Sequence, residues 1–143
     1  MIPQFGSDGL LPVGVHEATW DEITERFGTT GHRRALLNGA LRALRHLRAV
    51  GVIDAYLDGS MTTEKERPSD YDLCFVLTQA DFAELDPVLR PPLSKMQGGR
   101  DAMRRKYLGD VLPTTPTGGL LAFFQQDRGA PKGIIKVDLN SLP

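Results

Sequence analysis

The sequence predicts an α/β (α+β) fold, a small mixed β-sheet packed on helices. One long helical periodicity predicts it, together with three short apolar runs at 52–58, 71–77 and 134–139 that turn residues set apart from helical stretches. At 143 residues, with 41% hydrophobic and 24% charged side chains, the chain has the size and composition of one folded domain rather than of a disordered segment. A single domain spanning 1–143 is expected.

Residues 1–18 read as an irregular arm, because Gly6, Gly9, Pro12 and Gly14 break any helical or strand period. Thr19 followed by Glu22 fits a capping box, so a short helix is expected from Trp20 to about Phe27. From Gly31 to Val50, Leu37, Ala40, Leu41, Leu44 and Leu47 recur at three- and four-residue steps, and Gly51 is placed to end that helix. Its Arg42, Arg45 and Arg48 form a basic stripe, read as a solvated outer face rather than a phosphate site.

Val52 to Asp58 is too short for a typical helix and follows a helix stop, so it is read as a strand closed by the Gly59-Ser60 turn. A polar excursion, Met61 to Ser69, leads to a mostly buried strand over 71–77, and the two strands are expected to pair. Thr78 or Asp81 can cap a helix within 80–90 that Pro87 interrupts, and a further helix is expected over 93–107. Residues 110–119 read as a loop or short edge strand, 120–124 as either helix or strand, and 127–131 as a turn. The last strand, 134–139, alternates with Ile135, Val137 and Leu139 on one face and Ile134, Lys136 and Asp138 on the other.

A net charge of −1 supplies no global attraction to nucleic acid. Cys74, the only cysteine, lies in an apolar run and is expected in the core. His16, His32 and His46 lack metal-ligand spacing, and Ser60 lacks a nucleophile-elbow context. No stretch reaches the roughly 18 apolar residues of a membrane span, and Met1 to Gly6 has no basic segment leading into an apolar one. A cytoplasmic protein without membrane association is expected.

Asp70 and Asp72 carry the chemistry. Side chains two apart on a strand share a face, so the two carboxylates converge, and a hard cation such as Mg²⁺ or Mn²⁺ relieves their repulsion. Gly59-Ser60 closes the preceding strand, where a glycine admits a phosphate to the backbone and a serine offers a hydroxyl and an N–H.

These residues together, Gly59-Ser60, a polar loop and Ser69-Asp70-Tyr71-Asp72-Leu73, resemble the signature of the polymerase-beta-like nucleotidyltransferases. The resemblance implies a minimal, single-domain member of that fold, with Gly59 and Ser60 on nucleotide phosphates and Asp70 and Asp72 on a divalent metal. It also implies a third carboxylate on a later strand, for which Asp138 is the best match and Asp110 and Asp127, beside turn residues, are the alternatives. Many minimal members follow Gly-Ser with a small residue, an Arg and a Gly; here Met61 to Arg67 stands instead, and Lys65 or Arg67 would supply the phosphate contact. Asp58, next to Gly59, could enter the outer shell of the metal. A looser likeness, to a group of short bacterial proteins, rests on Leu10 to Thr19, Tyr56 to Ser60, Phe123-Phe124-Gln125 and Lys132-Gly133-Ile134.

The function implied is metal-dependent transfer of a nucleoside monophosphate from an NTP, with ATP expected. The acceptor would be a partner protein or an RNA, within a toxin–antitoxin or phage-defence pair. No separate acceptor domain is expected after Asp138, and the acceptor is expected to dock. The rival reading is an inactive module of the same fold that acts by docking on a partner protein.

Overall fold

The computed structural model describes residues 1–90, 99–116, 119–127 and 130–143. It is a mixed α+β structure. In chain order the elements are β1 (Gly14–Ala18), α1 (Trp20–Phe27), α2 (Gly31–Ala49), β2 (Ala55–Asp58), β3 (Asp72–Val76), α3 (Gly99–Tyr107), β4 (Asp110–Thr114), α4 (Leu120–Phe124), β5 (Gln126–Asp127), β6 (Ala130–Pro131) and β7 (Gly133–Val137). Five strands form one sheet in the order β1-β7-β2-β3-β4, and β5 and β6 form a separate hairpin. The outer pairs β1/β7 and β3/β4 are parallel; the inner pairs β7/β2 and β2/β3 are antiparallel.

Alternation along the strands sends their side chains to two unequal cores. Leu57, Leu73, Phe75, Val111, Ile135 and Val137 pack beneath α1, α2 and α3 with Trp20, Ile23, Phe27, Leu44, Leu47 and Met103. On the other face Tyr56, Cys74 and Ile134 meet Leu121 and Phe124 of α4. Each fully buried Leu or Phe contributes roughly 1.5–3 kcal/mol of transfer free energy, so the helical face holds most of the stability. Burial also pushes the Cys74 thiol up to about 12, as suits an inert core residue.

The expected capping box is present: the Thr19 hydroxyl accepts from the Glu22 N–H and the Glu22 carboxylate accepts from the Thr19 N–H. Helix α2 runs as expected, starting from Thr30 and ending before Gly51, which adopts φ +103°. Its arginine stripe is exposed, as expected, and its guanidinium groups are also used within the chain. Arg42 donates to the Lys106 carbonyl, Arg45 to the Pro143 carbonyl, and Arg48 to those of Leu139 and Leu142. The stripe is a clamp that fastens α3 and the last residues of the chain to α2.

Several boundaries differ from the sequence expectation. Residues 14–18 are the edge strand β1 rather than irregular arm; burial alternates along it, but the apolar Val15 takes an exposed position and the polar His16 a half-buried one, so the sequence shows no strand pattern. The strand expected from 52 begins at Ala55, because the Gln79 side chain takes the N–H groups of Ile53 and Asp54. No α-helix forms within 80–90; Pro87 starts a single 3₁₀ turn, and Asp86 caps it. Of the helix expected over 93–107, residues 99–107 are helical and 91–98 lie outside the described residues. Residues 120–124 are helical, and 110–114 form β4, where Pro113 is tolerated because the strand is an edge. The turn expected at 127–131 is the end of the β5/β6 hairpin, its residues 128–129 lying outside the described residues.

Candidate functional site

Three neighbouring strands bring three aspartates level. Asp58 ends β2, Asp72 begins β3 and Asp110 begins β4, and the register pairs Asp58 with Asp72 and Asp72 with Asp110. Adjacent strands lie about 4.8 Å apart, so the carboxylates form a short row across the end of the sheet. All three have the parity of Tyr56 and Cys74 and belong to the α4 face.

Asp72 lies at the centre of the row. Its carboxyl is pushed up to about 6, first by burial and then by the negative charges of Asp70, Asp110 and Asp58, with Lys132 acting in the opposite sense. Among the described residues, no hydrogen bond or ion pair reaches the carboxylate of Asp70 or Asp72. The flanking aspartates are compensated. The Lys132 ammonium sits 2.6 Å from Asp58 Oδ1, with both side chains under a tenth exposed. Asp110 is held by Arg104 through Nε and Nη2 and by Arg100 through Nη2, at 2.9–3.0 Å.

Gly59 joins the aspartate row to the loop that follows. It adopts φ +82°, and a Cβ added there would fall 2.5 Å from Asp72 Oδ2 and 3.2 Å from the Asp72 backbone nitrogen. The Asp72 carboxylate thus rests against the bare α-carbon. Gly59→Ala is expected to cost about 2 kcal/mol from backbone strain alone and to displace Asp72; a melting curve and the metal response of the variant check both.

Ser60–Thr62 form a 3₁₀ turn after Gly59. The Ser60 carbonyl accepts from the Thr63 hydroxyl, while no hydrogen bond from a described residue engages the Ser60 hydroxyl. The whole excursion is held from beneath by the start of α2. Buried Arg33 donates to the carbonyls of Met61 and Thr63, each at 2.9 Å, and to those of Phe27 and Lys65. His32 binds the Pro68 carbonyl, just before Asp70. The loop between Ser60 and Asp70 therefore has an internal scaffold where many proteins rely on glycines.

A cleft of about 760 Å³ opens over these residues. Asp58, Gly59, Ser60 and Asp72 form its floor, Thr63 to Lys65 one side, Phe124, Gln126 and Lys132 another. Ser7 to Leu10 of the N-terminal arm close it, tied to the loop by the hydrogen bond from Glu64 N–H to the Gly9 carbonyl. Gly59, Ser60, Lys65 and Asp72 are thus gathered where the sequence reading needs them. Asp70 lies two residues before the start of β3, not within a strand as expected, and is not part of the cleft wall, although its charge raises the Asp72 pKa. Arg67 is exposed and is not part of the cleft wall.

Asp138 is not brought to this site. Its parity is as expected, on the Lys136 face, but β7 runs antiparallel to β2 with Lys136 opposite Tyr56 and Ile135 opposite Leu57. Extending that register puts Ile134 level with Asp58 and Asp138 four residues beyond, about 13 Å along the strand. There Asp138 caps a 3₁₀ turn through the Asn140 N–H and lines a different cleft with Glu17, Asp54 and Lys136. Asp110 holds the third place in the row instead.

A sequence reading also misses Lys132, Arg33, Arg100 and Arg104. Arg100 and Arg104 stand four apart on a short helix that ends just before Asp110, a spacing that presents both to one point; Lys132 and Arg33 carry no comparable local signal.

A hard divalent cation fits the residues present. Asp70 and Asp72 offer acceptor-only oxygens without a described partner, and the Gly59 α-carbon leaves one of them in the open cleft. Among the described residues, no set of three or more His, Cys, Asp or Glu could by itself hold a metal ion, so remaining ligands would come from substrate and water. No helix of the described residues is long and apolar enough to cross a membrane.

No curated protein and no solved structure matches the chain. A family model matches residues 3–138, from the N-terminal arm through β7, and so covers all the elements that build the cleft. The chain belongs to that family, described as a family of unknown function (DUF6932).

Proposed function

We propose that the cleft binds a nucleoside triphosphate together with Mg²⁺ or Mn²⁺, and that a hydroxyl of a docked acceptor, a partner protein or an RNA, attacks its α-phosphorus. An O–P bond to the nucleoside monophosphate forms as the α–β phosphoanhydride bond breaks, pyrophosphate leaves and the hydroxyl proton passes to solvent. The observation that carries this reading is the contact of the Asp72 carboxylate with Gly59, which joins the carboxylate pair and the Gly59-Ser60 turn into one surface. The Ser60 hydroxyl and the N–H groups of its turn would bind phosphate oxygens, and Lys65 would meet the outer phosphates from the loop side. Asp70 and Asp72 would hold the cation. When bound, it neutralises the triphosphate and polarises the reacting phosphoryl group. Lys132 keeps the Asp58 charge compensated, so that the floor of the cleft does not repel the incoming polyanion. The open side lets an acceptor hydroxyl approach.

The second reading is an inactive docking module. Compensation of both flanking aspartates favours it, because Asp58 and Asp110 are engaged within the chain. Transfer from an α-labelled NTP to RNA, or to a co-purified partner, separates the two. Label incorporation should need Mg²⁺ or Mn²⁺, fall about 10- to 100-fold in Ser60→Ala through loss of a phosphate contact, and vanish in Asp70→Asn/Asp72→Asn. If the double variant neutralises a partner as well as the parent does, and neither transfers label, docking is the function.

A further inference from the structure

We infer that the site takes one divalent cation and not two, and that cations of the chain itself stand where a second ion would: Arg100 and Arg104 on one flank of the aspartate row, Lys132 on the other. The inference rests on the metal–nucleotide reading of the cleft.

The Asp110 carboxylate sits where a third metal ligand would be expected, opposite Asp72 on the adjacent parallel strand. Three of its roughly four lone-pair sites are already used. Oδ1 accepts from Arg104 Nε at 2.9 Å, and Oδ2 accepts from Arg104 Nη2 and Arg100 Nη2, both at 3.0 Å. The Arg104 contact is the paired, planar arrangement in which a guanidinium grips a carboxylate most strongly. Asp110 presents only 6% of its side chain to solvent, whereas the arginines present about half of theirs. An ion at the lone-pair site left on Oδ1 would sit beside two guanidinium groups that repel it, on an almost wholly buried acid.

The opposite flank repeats the pattern, with Asp58 held by a buried ammonium. Three cations thus engage the two flanking aspartates, and of the four carboxylates only those of Asp70 and Asp72 have no partner among the described residues. Mg²⁺ commonly uses only one or two carboxylates and completes its octahedron with substrate phosphates and water. Two carboxylates are what remain here, so the ion should bind weakly alone and firmly with nucleotide.

Mn²⁺ binding to the intact protein, counted by electron paramagnetic resonance with a saturating non-hydrolysable ATP analogue, tests this. One protein-dependent Mn²⁺ per chain is expected, with a spectrum free of metal–metal coupling. Asp110→Asn should keep that stoichiometry and hold the affinity within about threefold, while Asp72→Asn should abolish protein-dependent binding. Two coupled ions in the parent, or a loss of affinity above tenfold in Asp110→Asn, would overturn the inference and leave the metal–nucleotide reading standing. Absence of any protein-dependent Mn²⁺ in the parent would remove that reading and the inference with it. The count on the parent decides even if a variant does not fold.

Discussion

Arg33→Met is expected to lower the melting temperature by roughly 6–12 °C and to abolish nucleotide binding, although Arg33 touches neither the aspartates nor the cleft floor. Arg33 is 4% exposed, and its guanidinium donates to four carbonyls, three of them in the loop after Ser60. Burial lowers its pKa from the usual arginine value, yet an arginine remains protonated at neutral pH. Methionine replaces the volume and supplies no donor. Several buried carbonyls are then left unsatisfied at about 1–3 kcal/mol each, and a total of about 3 kcal/mol in a domain of this size corresponds to the stated shift. Arg33→Lys should recover little, since one ammonium cannot span carbonyls that diverge around a planar fork. A variant that melts with the parent and still binds nucleotide would show that the loop holds its shape without the anchor.

Asp72→Asn is expected to stabilise the metal-free protein while it destroys the ligand response. The folded-state pKa of Asp72 is raised to about 6, so between about pH 4 and pH 6 the native state binds more protons than the unfolded chain. Stability from this group is therefore fullest at low pH and declines as pH rises through that window; above it the buried charge is a constant burden. After allowance for solvent screening the burden is about 1–2 kcal/mol. In the presence of a chelator, Asp72→Asn should melt several degrees above the parent at pH 8, and the gap should close by about pH 4. A constant gap across that range would mean that the Asp72 charge is not what the fold pays for.

How far the site was legible from sequence depends on whether its parts are local. Thr19 with Glu22 and the α2 periodicity each lie within a few residues of one another, and backbone geometry alone places their side chains, whereas Asp70 falls before the start of β3 and strand alternation does not set its direction. Gly59-Ser60 could be joined to Asp72 because the two strands were expected to pair, which they do, with Asp58 facing Asp72. The third carboxylate depended on topology. Alternation correctly put Asp138 on the face of Lys136, but no local pattern tells which end of the sheet a strand's last residue reaches, and antiparallel pairing of β7 with β2 carries it away. Asp110 ranks second by sequence because it sits beside turn residues, in a segment that reads as a loop or short edge strand, whereas the parallel register of β3 and β4 sets it level with Asp72. Contacts over long sequence separation, such as Arg33 with Met61 and Lys132 with Asp58, leave no period to read.

The claim that Asp70, Asp72 and the Gly59-Ser60 turn form one metal–nucleotide site is tested most directly by thermal melting with Mg²⁺ and each NTP, together and separately. A ligand that binds only the native state stabilises it by about 2.7 kcal/mol at a hundred times its dissociation constant, a rise of roughly 5–10 °C here. The expected result is a rise of that size with Mg²⁺ and at least one NTP together, little with either alone, and none in Asp72→Asn. An equal rise in Asp72→Asn, or no rise in the parent with any of the NTPs, would contradict it.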